Sequence, residues 1–323
     1  MGRMKLKALL ALLILVAPLI EARSQAPASA EPTAPQLIIL DTDIGDDIDD
    51  AFALALVLKS PELKLLGVTT EFGDTESRAQ LVERYLDAVG RSDIPVAAGV
   101  RTKTDNVMTQ RAYALQYQML VQMPRKHRDG VEFLLSQIQN NPNKLILIAI
   151  GPLFNVQEAI KRDPVTFKKL KRVVLMGGSV YRGYGDANAA PQPEWNILND
   201  PDGLKALLDS GVPVFMMPLD STQIHLDQKA QAAIFSHGSP LTDQVTLLYH
   251  EWSGTGDWKT PTLFDPVAVT YAIRPDLCPA TPMRVEVDAK GDTRPVDGAA
   301  NAQVCLKSDE QGFLQFLLDR LLK

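Results

Sequence analysis

Residues 37–58 read LIILDTDIGDDIDDAFALALVL, and the rest of the chain is organised around them. Leu37-Ile38-Ile39-Leu40 is a short apolar run rich in β-branched residues, the pattern of a buried strand. Residues 51–58 are long enough and rich enough in Ala and Leu to predict a helix. Between them stand six aspartates within ten residues: Asp41, Asp43, Asp46, Asp47, Asp49 and Asp50. The cluster is therefore the turn from a strand end to a helix start, and Gly45 lets it bend where a Cβ would clash. One or two aspartates there would be read as caps in a solvated loop. Six like charges repel, and the positive end of a helix offsets only part of that repulsion. An oxygen-only cluster of this size predicts a hard divalent cation.

Beyond the turn, strands and helices alternate. Residues 63–70, 94–98, 145–150, 173–176 and 212–217 read as strands, and residues 75–89 and 130–139 as helices. Such alternation predicts right-handed βαβ units: an α/β fold, one Rossmann-like, mostly parallel open sheet flanked by helices. In such sheets ligands bind beyond the carboxyl ends of the strands. Polar residues gather at those ends, at Asp41, at 69–74 (TTEFGD), at Gly151, at Gly177-Gly178 and at Asp220. Residues 101–128 are harder to read: 108–123 is consistent with one helix, and a surface element is the plainer interpretation.

The chain has 323 residues, 46% hydrophobic and 22% charged, enough for a large core in a single domain. Residues 1–24 stand apart. Arg3, Lys5 and Lys7 precede an apolar run over 8–20, and Ala22-Arg23-Ser24 supplies small residues for cleavage, so a secretory signal peptide is expected. The run is too short for an ordinary membrane span. Residues 25–35, rich in Pro, Ala and Ser, read as a disordered leader, and 36–323 as the folded domain. Losing residues 1–24 removes four basic side chains and one acidic one, so the formal net charge of −6 becomes −9. An acidic chain without a basic stripe is not expected to bind nucleic acid, and none of it is expected to stay in a membrane after cleavage. Export makes a disulfide between the two cysteines, Cys278 and Cys305, permissible; the sequence leaves a bond and two buried thiols equally open.

Asp41-Thr42-Asp43-Ile44-Gly45 with Asp49-Asp50-Ala51 resembles the D-x-D-P-G-x-D-D-A signature of the inosine–uridine-preferring nucleoside hydrolases. It departs from it at Ile44, where proline is usual, and by two extra residues before the aspartate pair, which leave Asp46 and Asp47 without a matched role. Four later segments carry the same resemblance. Residues 67–74 (GVTTEFGD) are similar to the family's second strand and loop, with Asp74 where asparagine is frequent. Residues 148–155 (IAIGPLFN) are similar to a T-G-P-L-T-N segment that supplies a backbone carbonyl to the metal. Residues 174–178 (VLMGG) lead to Asn188 and, six residues on, to the E-x-N triplet Glu194-Trp195-Asn196. Residues 264–269 (FDPVAV) resemble H-D-P-L-A-V, with Phe264 where histidine is usual.

What the resemblance implies is calcium-dependent hydrolysis of the N-glycosidic bond of ribonucleosides. Asp43, Asp50, Asp265 and the carbonyl of Ile150 would hold Ca2+, with Asp43 also the base that takes a proton from water. Asp49, Asp74, Glu194 and Asn196 would hold the ribose, Asn188 its 5′ hydroxyl, and Asp41 would support the ligands from behind. The family commonly forms dimers or tetramers. Phe264 cannot donate a proton, so leaving-group activation has no matched residue. His225 and His250, or stacking aromatics among Tyr249, Trp252 and Trp258, are the candidates nearby. Two rivals remain: an exported riboside-binding protein without hydrolysis, and a D-x-D phosphatase, to whose scheme the DIDDA extension and the E-x-N triplet do not belong. An EF-hand is excluded, because Gly45 and Phe52 stand where ligands are required.

Overall fold

Residues 37–40 become the middle of strand β1 (Gln36–Thr42), and their alternation divides the core. Ile38 and Leu40 face one apolar cluster and Ile39 the other. In the computed structural model residues 1, 34–120, 126–254 and 259–323 are described. Ala34–Lys323 form one compact unit. The expected signal peptide and nearly all of the leader lie outside the described residues, as does Trp258.

The remaining strands are β2 (Leu63–Thr70), β3 (Val96–Ala98), β4 (Arg128–Asp129), β5 (Leu145–Ala149), β6 (Arg172–Met176), β7 (Val214–Met217), β8 (Ala280–Met283), β9 (Val285–Val287), β10 (Thr293–Pro295) and β11 (Ala302–Cys305). Nine of them make one sheet in the order β4-β3-β2-β1-β5-β6-β7-β11-β8, and β9 pairs with β10 in a separate ribbon. All neighbours in the large sheet are parallel except β11 and β8. The strand order reverses between β1 and β5, so the crevice of a switch-point site opens beyond their carboxyl ends. Asp41 and Ile150 lie there, and the Ile150 amide donates to the Asp41 carbonyl at 2.8 Å.

Helices cover both faces. Asp49–Leu58, Thr75–Ala88, Pro240–Ser253, Phe264–Ile273 and Glu310–Leu321 pack on the face of Ile38, whereas Gly130–Asn140, Phe154–Arg162 and Pro201–Asp209 pack on that of Ile39. The α/β class and mostly parallel sheet expected from the alternation are those observed. Three readings change. The strand expected over 212–217 begins at Val214, because the Val212 amide turns onto the Ser210 hydroxyl and Pro213 has no N–H to pair. The strand expected over 94–98 shortens to Val96–Ala98, because the Ile94 amide closes a turn onto the Arg91 carbonyl. The helix consistent with 108–123 begins only at Arg111, because Met108–Gln110 is drawn out of helical register to bind the acidic turn. Cys278 and Cys305 form a disulfide, Cα atoms 5.7 Å apart, tying the chain after helix Phe264–Ile273 to β11. None of the helices among the described residues is long and apolar enough to cross a membrane.

Candidate active site

The acidic turn is folded by its own backbone and by two distant segments. Gly45 holds φ at +124°, and a Cβ there would meet the Met108 side chain at 2.4 Å. The Thr42 hydroxyl accepts from the Ile44 amide at 3.0 Å and donates to the Asp50 carboxylate. Gln110 clamps the turn from outside: its amide donates to the Gly45 carbonyl at 2.9 Å and its side chain to the Asp47 carbonyl at 2.8 Å. Arg78, on helix Thr75–Ala88, enters from beneath. Its guanidinium donates to the carbonyls of Asp43, Ile44 and Phe72 and to the Asp46 carboxylate. Asp46 is thus placed by Arg78, and Asp49 and Asp50 open the first turn of helix Asp49–Leu58.

A cavity of about 340 Å³ lies above the carboxyl ends of β1, β5 and β6. Of the residues named from sequence, Asp43, Asp49, Asp50, Ile150, Glu194, Asn196 and Asp265 line it. Asp74 does not: it faces an adjoining cavity, where it accepts from the Ser77 hydroxyl at 2.8 Å. Asn188 does not either; it is exposed on the loop after Gly185. A larger cleft, about 980 Å³, lies at the other end of the strands beside Pro35 and Leu63, but its walls mix apolar residues such as Val57, Leu65 and Phe316 with Lys, Arg, Glu and Asp side chains, none of these carboxylates being buried.

Asp49, Asp50 and Asp265 each offer a carboxylate oxygen within 4.8 Å of the others, all three being buried. Asp265 opens helix Phe264–Ile273, and its amide donates to the Asp49 carboxylate at 3.1 Å. The sequence reading had named Asp43 in this group; Asp43 lines the same cavity while Asp49 takes its place in the tight trio. Glu194 caps helix Trp195–Asn199, accepting from the amides of Gly178 at 2.9 Å, Asn196 at 2.9 Å and Ile197 at 3.2 Å. The Asn196 side chain donates to the Ile150 carbonyl at 3.3 Å, and both residues line the cavity.

Burial pushes Asp43 and Glu194 each up to about 7, with Arg78 opposing it at Asp43 and the three amides opposing it at Glu194. Asp49, Asp50 and Asp265 rise well above the carboxylate range, first by burial and then by neighbouring charge: that of Asp47 and then Asp43 at Asp49, of Asp43 and then Asp49 at Asp50, and of Asp49 and then Asp50 at Asp265. Carboxyls this perturbed in one crevice mark a site that a cation would relax. Hard oxygen donors at this spacing fit a divalent ion such as calcium or magnesium.

Asp41 lies behind the site, fully buried, accepting from the Thr69 hydroxyl at 2.5 Å and the Asn155 side chain at 2.7 Å. Three residues were missed by sequence reasoning as site components. Arg78 gave no signal, being one arginine on a helical stripe. Glu71, buried beside Asp41 and accepting from the Asn155 amide at 3.1 Å, was visible only as a polar residue at a strand end. Tyr184 lines the cavity from a loop without periodicity; its hydroxyl accepts from the Trp195 amide at 2.9 Å and approaches Glu194 at 3.5 Å. The histidine candidates are elsewhere. His225 meets Thr262, His250 packs against Tyr249 and Phe235, and His127 sits between Glu76 and Glu83. Phe264 and Trp252 do line the cavity, whereas the Tyr249 hydroxyl donates to the Lys259 carbonyl.

Residues 38–315 match the family model described as inosine-uridine preferring nucleoside hydrolase. The chain is 31% identical over 312 residues to the pyrimidine-specific ribonucleoside hydrolase RihA of an Enterobacter species, covering 88% of this chain and 97% of that one. It is 30% identical over 309 residues to an uncharacterised protein of Schizosaccharomyces pombe, with 88% and 98% covered. Among solved structures it superimposes on a plant nucleoside hydrolase with a TM-score of 0.77 at 25% identity, covering 89% and 99%. A purine-preferring ribonucleoside hydrolase from Gardnerella vaginalis gives 0.73 at 26% identity, covering 89% and 98%.

Proposed function

The chain belongs to the inosine-uridine preferring nucleoside hydrolase family, and from that premise we propose that it hydrolyses the N-glycosidic bond of ribonucleosides with calcium in the acidic cavity, releasing base and ribose. The observation that carries this reading is the convergence of the Asp49, Asp50 and Asp265 oxygens within 4.8 Å in a cavity that also contains Asp43, Glu194 and Asn196.

Asp50, Asp265, Asp43 and the Ile150 carbonyl are the proposed holders of the ion, and Asp49 would hold ribose hydroxyls. When bound, the cation supplies the charge that makes an attacking water more acidic. Asp43 accepts the proton from that water, and Arg78, on the Asp43 carbonyl, fixes its backbone. Glu194 and Asn196 hold sugar hydroxyls; the amides already on Glu194 keep its carboxylate aimed without consuming its remaining lone pairs. The carboxylates stabilise positive charge developing on the sugar. Asp74 and Asn188, outside the cavity, take part only if their loops move inward.

Free ribose released from a panel of purine and pyrimidine nucleosides, with calcium and with a chelator, tests the reading. The panel needs both classes because the relatives' names divide between them. Calcium-dependent release that Asp43→Ala abolishes is the expected outcome. Absence of release while calorimetry shows calcium bound would sink it, and would favour riboside binding without cleavage, the reading that Phe264 in the cavity keeps open. Export is proposed from residues 1–24, and the Cys278–Cys305 bond supports an oxidising compartment. Assembly as a homodimer or homotetramer is proposed from the family and is checked by light scattering.

A further inference from the structure

In a ribonucleoside the bond to be cut joins C1′ to a nitrogen of the base. When it breaks, the electron pair goes to that nitrogen. A neutral purine or pyrimidine then leaves as an anion, unless a proton arrives with the pair, and a positioned acid contributes roughly 10²–10⁴-fold to such a step. Among the described residues that line the cavity, no histidine or free phenol is placed to deliver that proton. All four histidines are described, and none lines the cavity. Phe264, beside Asp265, occupies the wall. The Tyr184 ring meets Phe264 edge-on, centroids 6.0 Å apart, while its hydroxyl is engaged with the Trp195 amide and Glu194. Burial, and next the Glu194 charge, raise that phenol far above its ordinary range, which makes it a poor acid. The rim carboxyls are also committed as acceptors, Asp46 to Arg78 and Asp47 to the Ile48 amide, each at 2.7 Å.

The same walls suit a cation. Trp195, Trp252, Tyr184 and Phe264 line the cavity together with an excess of carboxylates. Trp252 already shows the affinity, with the Lys259 ammonium 5.5 Å from its ring centroid. A base that is itself positively charged needs no proton, because the departing pair neutralises it.

Resting on the hydrolase reading, we propose that the preferred substrates are ribosides of positively charged bases, namely N-ribosylpyridinium compounds and N7-alkylated purine ribosides. The C1′–N pair moves onto the ring and the base leaves neutral. The water oxygen bonds to C1′, and its proton passes through Asp43 to solvent. Cationic riboside and water thus give neutral base, ribose and one proton.

The test compares kcat/KM for inosine and 7-methylinosine, and for uridine and nicotinamide riboside, on the calcium-loaded protein. The methylated purine is expected to exceed inosine, and nicotinamide riboside to exceed uridine, by about a hundredfold or more, and Phe264→His to narrow the purine ratio by raising inosine about tenfold. Inosine and 7-methylinosine within about threefold of each other overturn the substrate class and leave the hydrolase intact. That comparison uses the unmodified protein, so it stands even if Phe264→His fails to fold. No sugar from any of the four, with calcium shown bound, removes the hydrolase reading and this one with it.

Discussion

Arg78 and Asp46 form an ion pair, Nη2 to Oδ2 2.7 Å, with the arginine side chain 3% and the aspartate side chain 20% exposed. The pair lies in the part of the acidic turn that is longer than the family's usual form, and the same guanidinium binds the carbonyls of Asp43, Ile44 and Phe72. One cation thus neutralises an inserted carboxylate and fixes the backbone of the proposed base. Removing Arg78 leaves Asp46 without its cation and the carbonyls of Asp43, Ile44 and Phe72 without its donors, so Arg78→Ala is expected to cost about 3 kcal/mol in chemical denaturation. Arg78→Lys keeps the charge but not the fork, and should recover stability more fully than it recovers kcat.

The cavity's carboxyls titrate in the direction that opposes stability near neutrality. Burial raises Asp43 from 3.8 and Glu194 from 4.5, each to about 7, so the folded chain holds protons that the unfolded chain has lost. Stability of the chelated protein is therefore highest below pH 4 as far as these two groups are concerned, falls between about pH 4 and 7, and levels off above. Added calcium requires the ionised forms, so its stabilising increment should grow over the same interval. Thermal unfolding at pH 5 and 7.5, with chelator and with calcium, checks both trends; a calcium increment larger at pH 5 would contradict them.

Asp265→Asn separates stability from activity. Asparagine keeps the shape, and the Asp265 amide that serves Asp49 is unaffected. Loss of a carboxylate that burial and Asp49 both hold unfavourably should raise the melting temperature of the chelated protein. Calcium affinity should fall and ribose release should drop about a thousandfold, the equivalent of several kcal/mol of lost charge stabilisation.

Gly151 follows the Ile150 carbonyl, and a Cβ there would lie 2.9 Å from Asp43 Oδ1 and 3.0 Å from the Asp43 amide nitrogen. The backbone atom cannot swing aside as a side chain can. Gly151→Ala is expected to displace Asp43 and lower kcat about a hundredfold, with a smaller effect on calcium affinity.

The Cys278–Cys305 bond closes a 27-residue separation across β8, β9 and β10. Replacing both by serine should cost about 3 kcal/mol through the freedom returned to the unfolded chain, without changing KM. A shift in KM would show that this region reaches the cavity.

Most of the parallel sheet could be read from residues 37–40, 63–70, 145–150 and 173–176, because buried parallel strands are continuous apolar runs bounded by turns. Strands β8 to β11 could not: ATPM, VEV, TRP and AQVC are three or four residues long and have no period. Asp43, Asp50 and Asp265 were legible because carboxylates in fixed motifs have few other uses. Arg78, Glu71 and Tyr184 reach the site through folding alone, from a helix face, a strand end and a loop, and only distance reveals them. Asp74 and Asn188 matched a spacing, but spacing along the chain does not fix which way a loop turns.

Asp49 and Asp265 touch across 216 residues of sequence. A chain emerging from its amino end exposes the acidic turn long before the residue that completes it exists. Until then, four-fifths of the molecule has been made around a knot of negative charge that Arg78 offsets from beneath and Lys259 at Asp47. The final contact also brings the last oxygen of the trio into reach, so the proposed ion site is complete only once the chain has been made beyond residue 265.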